Sequence, residues 1–179
     1  SPIFKRLTSS KYAGLFEYAG SFGAAYLLRR GLFMPWELPE VIEPEIAAEG
    51  WQKLELMLRL EETVSDIPDN AAKVSALELL WYMRNQLLRD ADWAGMAHSI
   101  EIRTPLVDSV LFREIAGMNA SKQDMARTLQ NPLPENVLNR PKTGFYLPIR
   151  EWLIGESNEG QHERGYRGWA RTVYKRSLE

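Results

Sequence analysis

Two charged side chains, Glu101 and Arg103, lie in a stretch that is otherwise rich in apolar residues, with Ile100, Ile102 and Leu106 around them. A carboxylate among apolar neighbours is partly desolvated, and desolvation makes it a better proton acceptor. Glu101 is therefore a candidate general base. The alternative is that Glu101 and Arg103 form a structural ion pair at the end of a helix, an arrangement that needs no catalytic role.

A second candidate is Lys142, in a loop between Pro141 and Gly144. A lysine ammonium supplies positive charge for a phosphate, and a nearby glycine lets backbone N–H groups approach the phosphate oxygens. The alternative is a solvated loop lysine, since loops and lysines are usually exposed.

Apolar residues that recur at spacings of three and four predict that helices position these candidates. The predicted helices span roughly 1–30, 45–63, 71–92, 93–102, 108–117, 121–130 and 161–176. Prolines interrupt the pattern over 33–45, where a loop or short helical turns are expected. The sequence shows no run of strands and no strand–helix alternation, so it is predicted to be all-α.

Local signals predict where several helices begin and end. Asp69 or Asn70, Asp108 and Ser121 are candidate N-caps, because their side chains can accept hydrogen bonds from the first free backbone N–H groups of a helix. Two arginines followed by Gly31 predict a helix end.

Composition excludes several classes of protein. The chain has 179 residues, of which 45% are hydrophobic and 26% are charged, as is typical of a globular domain and not of a disordered chain. With no cysteine and only two histidines, disulfides and cysteine nucleophiles are excluded and a metal site is not expected. A net charge of −2 does not indicate nucleic-acid binding.

The sequence shows no run of 18 apolar residues and no secretion signal, so no membrane association and a cytoplasmic location are expected. The chain begins at Ser1 without a methionine. We therefore expect it to be a processed or excised piece of a longer protein.

The two candidate segments resemble the C-terminal synthetase region of glutamine-hydrolysing asparagine synthetases. One family pattern, Asp-x-x-x-Met-Ala-x-Ser-hydrophobic-Glu-hydrophobic-Arg-x-Pro-hydrophobic-hydrophobic-Asp, is matched from Asp92 through Asp108. The other pattern is matched at Leu133-Pro134, Arg140, Lys142, Gly144-Phe145, Pro148 and Trp152-Leu153. Residues 27–36 also look like bacterial relatives, so the resemblance covers nearly the whole chain.

The resemblance implies a fold and a reaction. Residues 1–179 are expected to form a single helical region, the C-terminal portion of an α/β adenine-nucleotide α-hydrolase-like (ATP pyrophosphatase) domain. In the family, ATP adenylates the side-chain carboxylate of aspartate and releases pyrophosphate, and ammonia from glutamine then displaces AMP to give asparagine.

The resemblance also implies roles for individual residues. Two would be catalytic, one taking a proton and the other contacting phosphate: Glu101 and Lys142. Two would bind substrate or phosphate: Lys122 and Gly144. Two more would brace the loop that places the glutamate: Arg103 and Asp108.

Departures from the family limit what this chain does alone. The Ser-Gly-Gly-x-Asp-Ser loop that binds ATP, a Gly-x-Asp-Glu segment that helps hold Mg²⁺, and the glutaminase domain do not occur in the sequence. Gly95 stands where relatives often carry serine. We therefore expect the fragment to be inactive alone and to bind no cofactor tightly, with ATP and Mg²⁺ used in the intact parent.

The expected partners are the upstream ATP-binding and glutaminase regions of the parent chain and the small molecules aspartate, ATP and ammonia. Apolar surface that the missing α/β layer normally covers would be exposed in the fragment. Self-association, with a homo-oligomer as one outcome, is expected for that reason.

Two alternative functions remain open at the level of sequence. The first is a related amide ligase that acts on another carboxylate, such as a β-lactam synthetase-like enzyme. The second is a non-catalytic helical interaction module, whose support is a basic tail: Arg164, Arg167, Arg171 and Lys175 recur at helical spacing beside Tyr166 and Trp169. The simpler interpretation of the tail is a solvated basic face whose aromatic side packs on the core.

Overall fold

The structure, a computed structural model, describes residues 14–118, 121–141, 148 and 166–178. All regular elements within these ranges are helical, which confirms the mainly α prediction. The chain divides into two compact units, one formed by residues 1–90 and 148–179 and the other by residues 91–147.

The first unit contains helices joined by short turns. Its α-helices are α1 (Leu15–Tyr18), α2 (Phe22–Arg30), α3 (Pro44–Leu54), α4 (Leu56–Glu62), α5 (Asn70–Leu77) and α10 (Tyr166–Ser177). A 3₁₀ segment spans Pro35–Glu40, and a π-helical segment spans Glu78–Leu88. The short turns expected over 33–45 and the helix expected over 71–92 are therefore confirmed.

The first predicted helix is interrupted. Helix α1 ends after one turn, and α2 begins separately where the Ser21 side chain accepts a hydrogen bond from the Ala24 N–H at 3.2 Å. This serine cap starts a new helix directly after Gly20, a residue that weakens helices. The helix end predicted at Gly31 is confirmed. Residues 1–13 lie outside the described part of the chain.

Helix α3 and helix α4 meet at a residue with a left-handed backbone. Glu55 has φ 46°, so the helix predicted over 45–63 is present as two helices. Asp69 caps α5, because its carboxylate accepts from the Ala72 N–H at 2.7 Å. The cap predicted there is confirmed for Asp69.

The core of the first unit is formed by five buried apolar side chains. Leu27 lies in α2, and Met34 lies directly before the 3₁₀ segment. Leu60 lies in α4, Val64 follows α4, and Leu77 is the last residue of α5. Aromatic side chains pack around them, among them Trp36, Trp51 and Trp81. Trp81 also donates a hydrogen bond from its indole N–H to the Thr63 hydroxyl at 3.0 Å.

Helix α10 packs through its arginine face. The Arg167 guanidinium donates to the Glu37 carboxylate at 2.6 Å and to the Leu32 carbonyl at 3.0 Å, and it lies 4.8 Å from the centre of the Phe33 ring. Arg171 donates to the Glu40 carbonyl at 2.7 Å. The helix is thereby fixed to the segment that includes the 3₁₀ turn.

The opposite face of α10 is exposed. Tyr166, Trp169 and Val173 are 49%, 41% and 48% exposed. The interpretation of the tail as a solvated basic face with a packed aromatic side is therefore wrong for the described residues. In the structure the arginine side of the helix is the packed side, because Arg167 donates to the nearly buried Glu37 carboxylate and Arg171 donates to the Glu40 carbonyl.

The second unit contains α7 (Ser109–Ile115), α8 (Lys122–Arg127) and α9 (Glu135–Leu138), and α6 (Arg89–Met96) enters it across the boundary at residue 90. Its large apolar side chains are exposed, with Trp93 at 63% and Phe112 at 51%. Among the described residues of this unit, only Gly95 is buried. Self-association stays a prediction, and these exposed side chains are its physical basis.

Among the described residues, no helix has the length and apolar character needed to cross a membrane.

Candidate functional site

Helix α6 ends earlier than predicted, in a turn that reverses the chain. The helix expected over 93–102 is wrong at both ends, because α6 begins at Arg89 and stops at Met96. The Ile100 N–H donates to the Gly95 carbonyl at 2.9 Å, and the Ser99 N–H donates to the Met96 carbonyl at 3.0 Å. These paired bonds form a Schellman motif, which ends the helix because they use its last free carbonyl groups.

Ser99 occupies the left-handed position of this motif, with φ 56°. Glycine is the usual residue there, because a Cβ atom makes the left-handed backbone about 1–2 kcal/mol less favourable. A strained residue of this kind persists only where the surrounding structure fixes it.

Gly95 allows the chain after the turn to lie directly against the helix. A Cβ atom at this position would lie 2.6 Å from the Ile100 carbonyl oxygen and 3.0 Å from two carbons of the Ile102 side chain. A side chain at this position would therefore require the turn to shift.

The residues directly after the turn form no regular secondary structure, and Glu101 and Arg103 lie side by side there. Alternate residues point to the same side where a chain is extended, which fits this pairing. The Arg103 guanidinium donates one hydrogen bond to each carboxylate oxygen of Glu101, at 3.1 and 3.3 Å. The ion pair that the sequence left open as an alternative is present.

The desolvation of Glu101 predicted from its apolar neighbours is not found. The side chain of Glu101 is 70% exposed, and that of Arg103 is 82% exposed. Ile100 and Ile102 are themselves 58% and 50% exposed. Residues that adjoin in a segment without regular secondary structure do not bury each other, so that part of the prediction is wrong. An exposed pair contributes about 0–1 kcal/mol to stability, and its main effect is to orient the carboxylate.

Asp108 fixes the end of the same segment. Its carboxylate oxygen Oδ1 accepts hydrogen bonds from the Val110 and Leu111 N–H groups at 3.0 and 2.8 Å, which caps helix α7. The predicted cap is confirmed. The segment from Gly95 to Asp108 is therefore held at both ends, by the Schellman turn and by this cap.

Lys122 is the first residue of helix α8. Ser121 and Asp124 form a capping box around that end, and the hydroxyl and N–H of Ser121 lower the pKa of the Asp124 carboxyl by donating to it. The cap predicted at Ser121 is confirmed. Lys142 and Gly144 lie outside the described residues, so their predicted roles stay predictions.

Within the described parts of the chain, no group of three or more acidic or histidine side chains is placed to hold a metal ion. The left-handed conformation of Ser99 and the close contact at Gly95 could not be predicted from the sequence. The one available signal was the glycine at position 95, inside a predicted helix.

Comparisons with known proteins identify relatives of this chain. The model of the asparagine synthase family matches residues 5–165. Glutamine-hydrolyzing asparagine synthetase 1 of Bacillus subtilis (strain 168) is 34% identical over 113 residues, which cover 59% of this chain. A protein of Mycobacterium tuberculosis (strain ATCC 25618 / H37Rv), provisionally named a glutamine-hydrolyzing asparagine synthetase, is 34% identical over 93 residues, which cover 48% of this chain.

The match spans only 16% of the length of the Bacillus protein and 14% of the Mycobacterium protein. No solved structure matches the chain. Because the residues matched by the family model make up most of the sequence, the chain belongs to the asparagine synthase family.

Proposed function

We propose that this chain is the helical part of an ATP-dependent ligase that forms asparagine. In the proposed reaction, the side-chain carboxylate of aspartate attacks the α-phosphorus of ATP, and pyrophosphate leaves. Ammonia then attacks the resulting acyl adenylate, AMP leaves, and the amide forms. The observation that carries the proposal is the solvent-accessible carboxylate of Glu101. Glu101 directly follows the hydrogen-bonded Schellman turn and lies within the residues that match the family model.

Glu101 is the proposed general base for the second step. Nitrogen gains a bond to carbon in that step and must lose a proton, which a carboxylate within hydrogen-bonding reach accepts. Each carboxylate oxygen has two lone-pair directions, and Arg103 uses one on each oxygen. One direction on each oxygen is thus left to accept a proton while Arg103 fixes the plane of the carboxylate.

Lys142 and Lys122 are the proposed phosphate contacts, on the basis of the resemblance. Negative charge increases on the leaving pyrophosphate, and a lysine ammonium stabilises that charge. Gly144 would let backbone N–H groups approach the same oxygens. Arg103 and Asp108 are the proposed bracing residues, and the hydrogen bonds of Arg103 to Glu101 and of Asp108 to the start of helix α7 support these roles.

Mg²⁺ is not assigned to residues of this chain. Among the described residues no cluster of carboxylates fits a metal ion, and the sequence contains neither the Ser-Gly-Gly-x-Asp-Ser loop nor a Gly-x-Asp-Glu segment. We propose that upstream regions of the parent supply the nucleotide loop, the metal ligands and the ammonia released from glutamine. We also propose a cytoplasmic location, where ATP and aspartate are available.

The test uses the full-length parent protein. Pyrophosphate release from Mg-ATP is measured with ammonia, with and without aspartate. Release that requires aspartate supports the proposal. Release that ignores aspartate and depends on another carboxylate changes the substrate, and no release with any carboxylate contradicts the ligase assignment.

The residue assignments are tested in the same protein. Glu101→Gln and Lys142→Ala should each lower amide formation by orders of magnitude without unfolding the protein. Glu114→Gln is the matched control, because Glu114 is an exposed glutamate of helix α7 in the same unit. Near-normal amide formation by Glu101→Gln and Lys142→Ala would refute both roles.

A further inference from the structure

The turn after helix α6 combines two features that rarely occur together. A serine occupies the left-handed position of the Schellman motif, and the close approach to the helix falls on a glycine four residues earlier. In most such motifs the glycine occupies the left-handed position itself. In this turn Gly95 allows close contact with the following chain, and Ser99 adopts the strained left-handed backbone conformation.

The contact at Gly95 determines the direction of the chain that follows. The Ile100 carbonyl and the Ile102 side chain lie where a Cβ atom of residue 95 would be. Since Ile102 packs back onto the helix, Glu101 and Arg103 on the alternate positions point away from it. In this chain, the position of the Glu101 carboxylate therefore depends on the close contact of Ile100 and Ile102 with Gly95.

We infer that Gly95 is a positioning residue for the proposed reaction, since the close packing of Ile100 and Ile102 against it sets where Glu101 meets the substrate. This inference rests on the proposed function. A Cβ atom at residue 95 forces the turn outward, because the nearest atom it meets is a backbone oxygen that no side-chain rotation can move. A displacement of about 1 Å at a reacting group can lower a rate by roughly a hundredfold.

The experiment is a double-mutant cycle in the full-length parent. Amide formation is measured for Gly95→Ala, Glu101→Gln and the double variant, with kcat and the KM for ATP determined separately. Gly95→Ala should lower kcat by roughly tenfold to a hundredfold with little change in the KM for ATP. In the Glu101→Gln background the same substitution should have almost no further effect, because the group that it displaces is already gone.

Gly117→Ala is the matched control. Gly117 lies in the same unit, and a Cβ atom there meets nothing within 4 Å, so this variant should keep the parental rate. If Gly95→Ala does not fold, Ile102→Ala replaces it in the cycle. Ile102 is half exposed, and its truncation removes the packing against the helix without adding an atom.

Two results would overturn the inference. In the first, Gly95→Ala and Ile102→Ala keep the parental kcat although Glu101→Gln is inactive. This result refutes the role of Gly95 but does not contradict the proposed function. The other is an equal fold-loss from Gly95→Ala in both backgrounds, which a purely structural role predicts. If Glu101→Gln itself forms amide at the parental rate, the role of Glu101 fails and the inference fails with it.

Discussion

Replacing Arg167 with methionine should destabilise the first unit, because it removes a guanidinium that donates to a nearly buried carboxylate. The Glu37 side chain is 9% exposed, and Arg167 donates to it at 2.6 Å. The Met34 N–H also donates to the same carboxylate oxygen, at 2.8 Å. Methionine keeps most of the apolar length of arginine, so the change removes mainly the charge and its hydrogen bonds.

The magnitude follows from these contacts. Removing one partner of a buried ion pair costs about 3–5 kcal/mol, and the lower end applies here since Arg167 is 26% exposed and the Met34 N–H stays bonded. We expect a loss of about 3 kcal/mol in the free energy of unfolding. For a chain of this size, that loss lowers the melting temperature by about 6–12 °C.

The assay is urea unfolding followed by circular dichroism, with thermal melts as a second measure. Arg59→Met is the control, because Arg59 is an exposed arginine of helix α4 in the same unit. The double variant Glu37→Gln with Arg167→Met should be less destabilised than the sum of the two single changes, by about 1–3 kcal/mol. A loss for Arg167→Met that is below about 1 kcal/mol, or equal to that of Arg59→Met, would refute the reasoning.

Three further predictions concern local features. Gly50→Ala should stabilise the protein by about 1 kcal/mol in a thermal melt, because a Cβ atom inside helix α3 meets nothing within 4 Å there; no gain would contradict this. Asp108→Ala should cost about 1 kcal/mol by removing the cap of helix α7, and Asp108→Asn should restore most of it in the same urea titration. The Tyr174 hydroxyl lowers the pKa of Glu43 by donating to it, so the stability gained from this bond is present above the ordinary pKa of 4.5 and is lost as the pH falls through the lowered value. The difference in unfolding free energy between the parent and Tyr174→Phe should therefore shrink on acidification, and a constant difference between pH 3 and 8 would argue against it.

Helix caps could be predicted from the sequence because capping is a local interaction. Asp69, Asp108 and Ser121 each accept hydrogen bonds from N–H groups two or three residues ahead, as the residue types suggested. Nothing distant in the chain is needed for such a bond. The same locality explains why the helix end at Gly31 was predicted correctly.

The exposure of Glu101 could not be predicted in this way. Apolar neighbours in sequence indicate burial only if they pack against another element, and Ile100 and Ile102 are half exposed in a segment without regular secondary structure. The end of helix α6 at Met96 was missed for a related reason. That helix end depends on the close approach of the Ile100 carbonyl to Gly95, five residues earlier. Residue types alone do not reveal such an approach.

The packed face of helix α10 was also predicted incorrectly, and here the cause lies far away in sequence. Arg167 and Arg171 appeared solvated because their partners, the Glu37 carboxylate and the Glu40 carbonyl, lie 130 and 131 residues earlier. A hydrophobic pattern assigns the aromatic side to the core by default. Contacts with residues so distant in sequence cannot be found from that pattern.

The separation of Glu37 from Arg167 has a consequence for how the chain is synthesised. At a translation rate of 5–20 residues per second, the 130 residues between them take about 6–26 s to leave the ribosome. During that time the segment around Glu37 has emerged, but the arginine that neutralises its carboxylate does not yet exist. The first unit therefore completes its packing only after the whole of the second unit has been made, and a ribosome that stalls between them holds a nascent chain in which Glu37 cannot yet accept the Arg167 hydrogen bond.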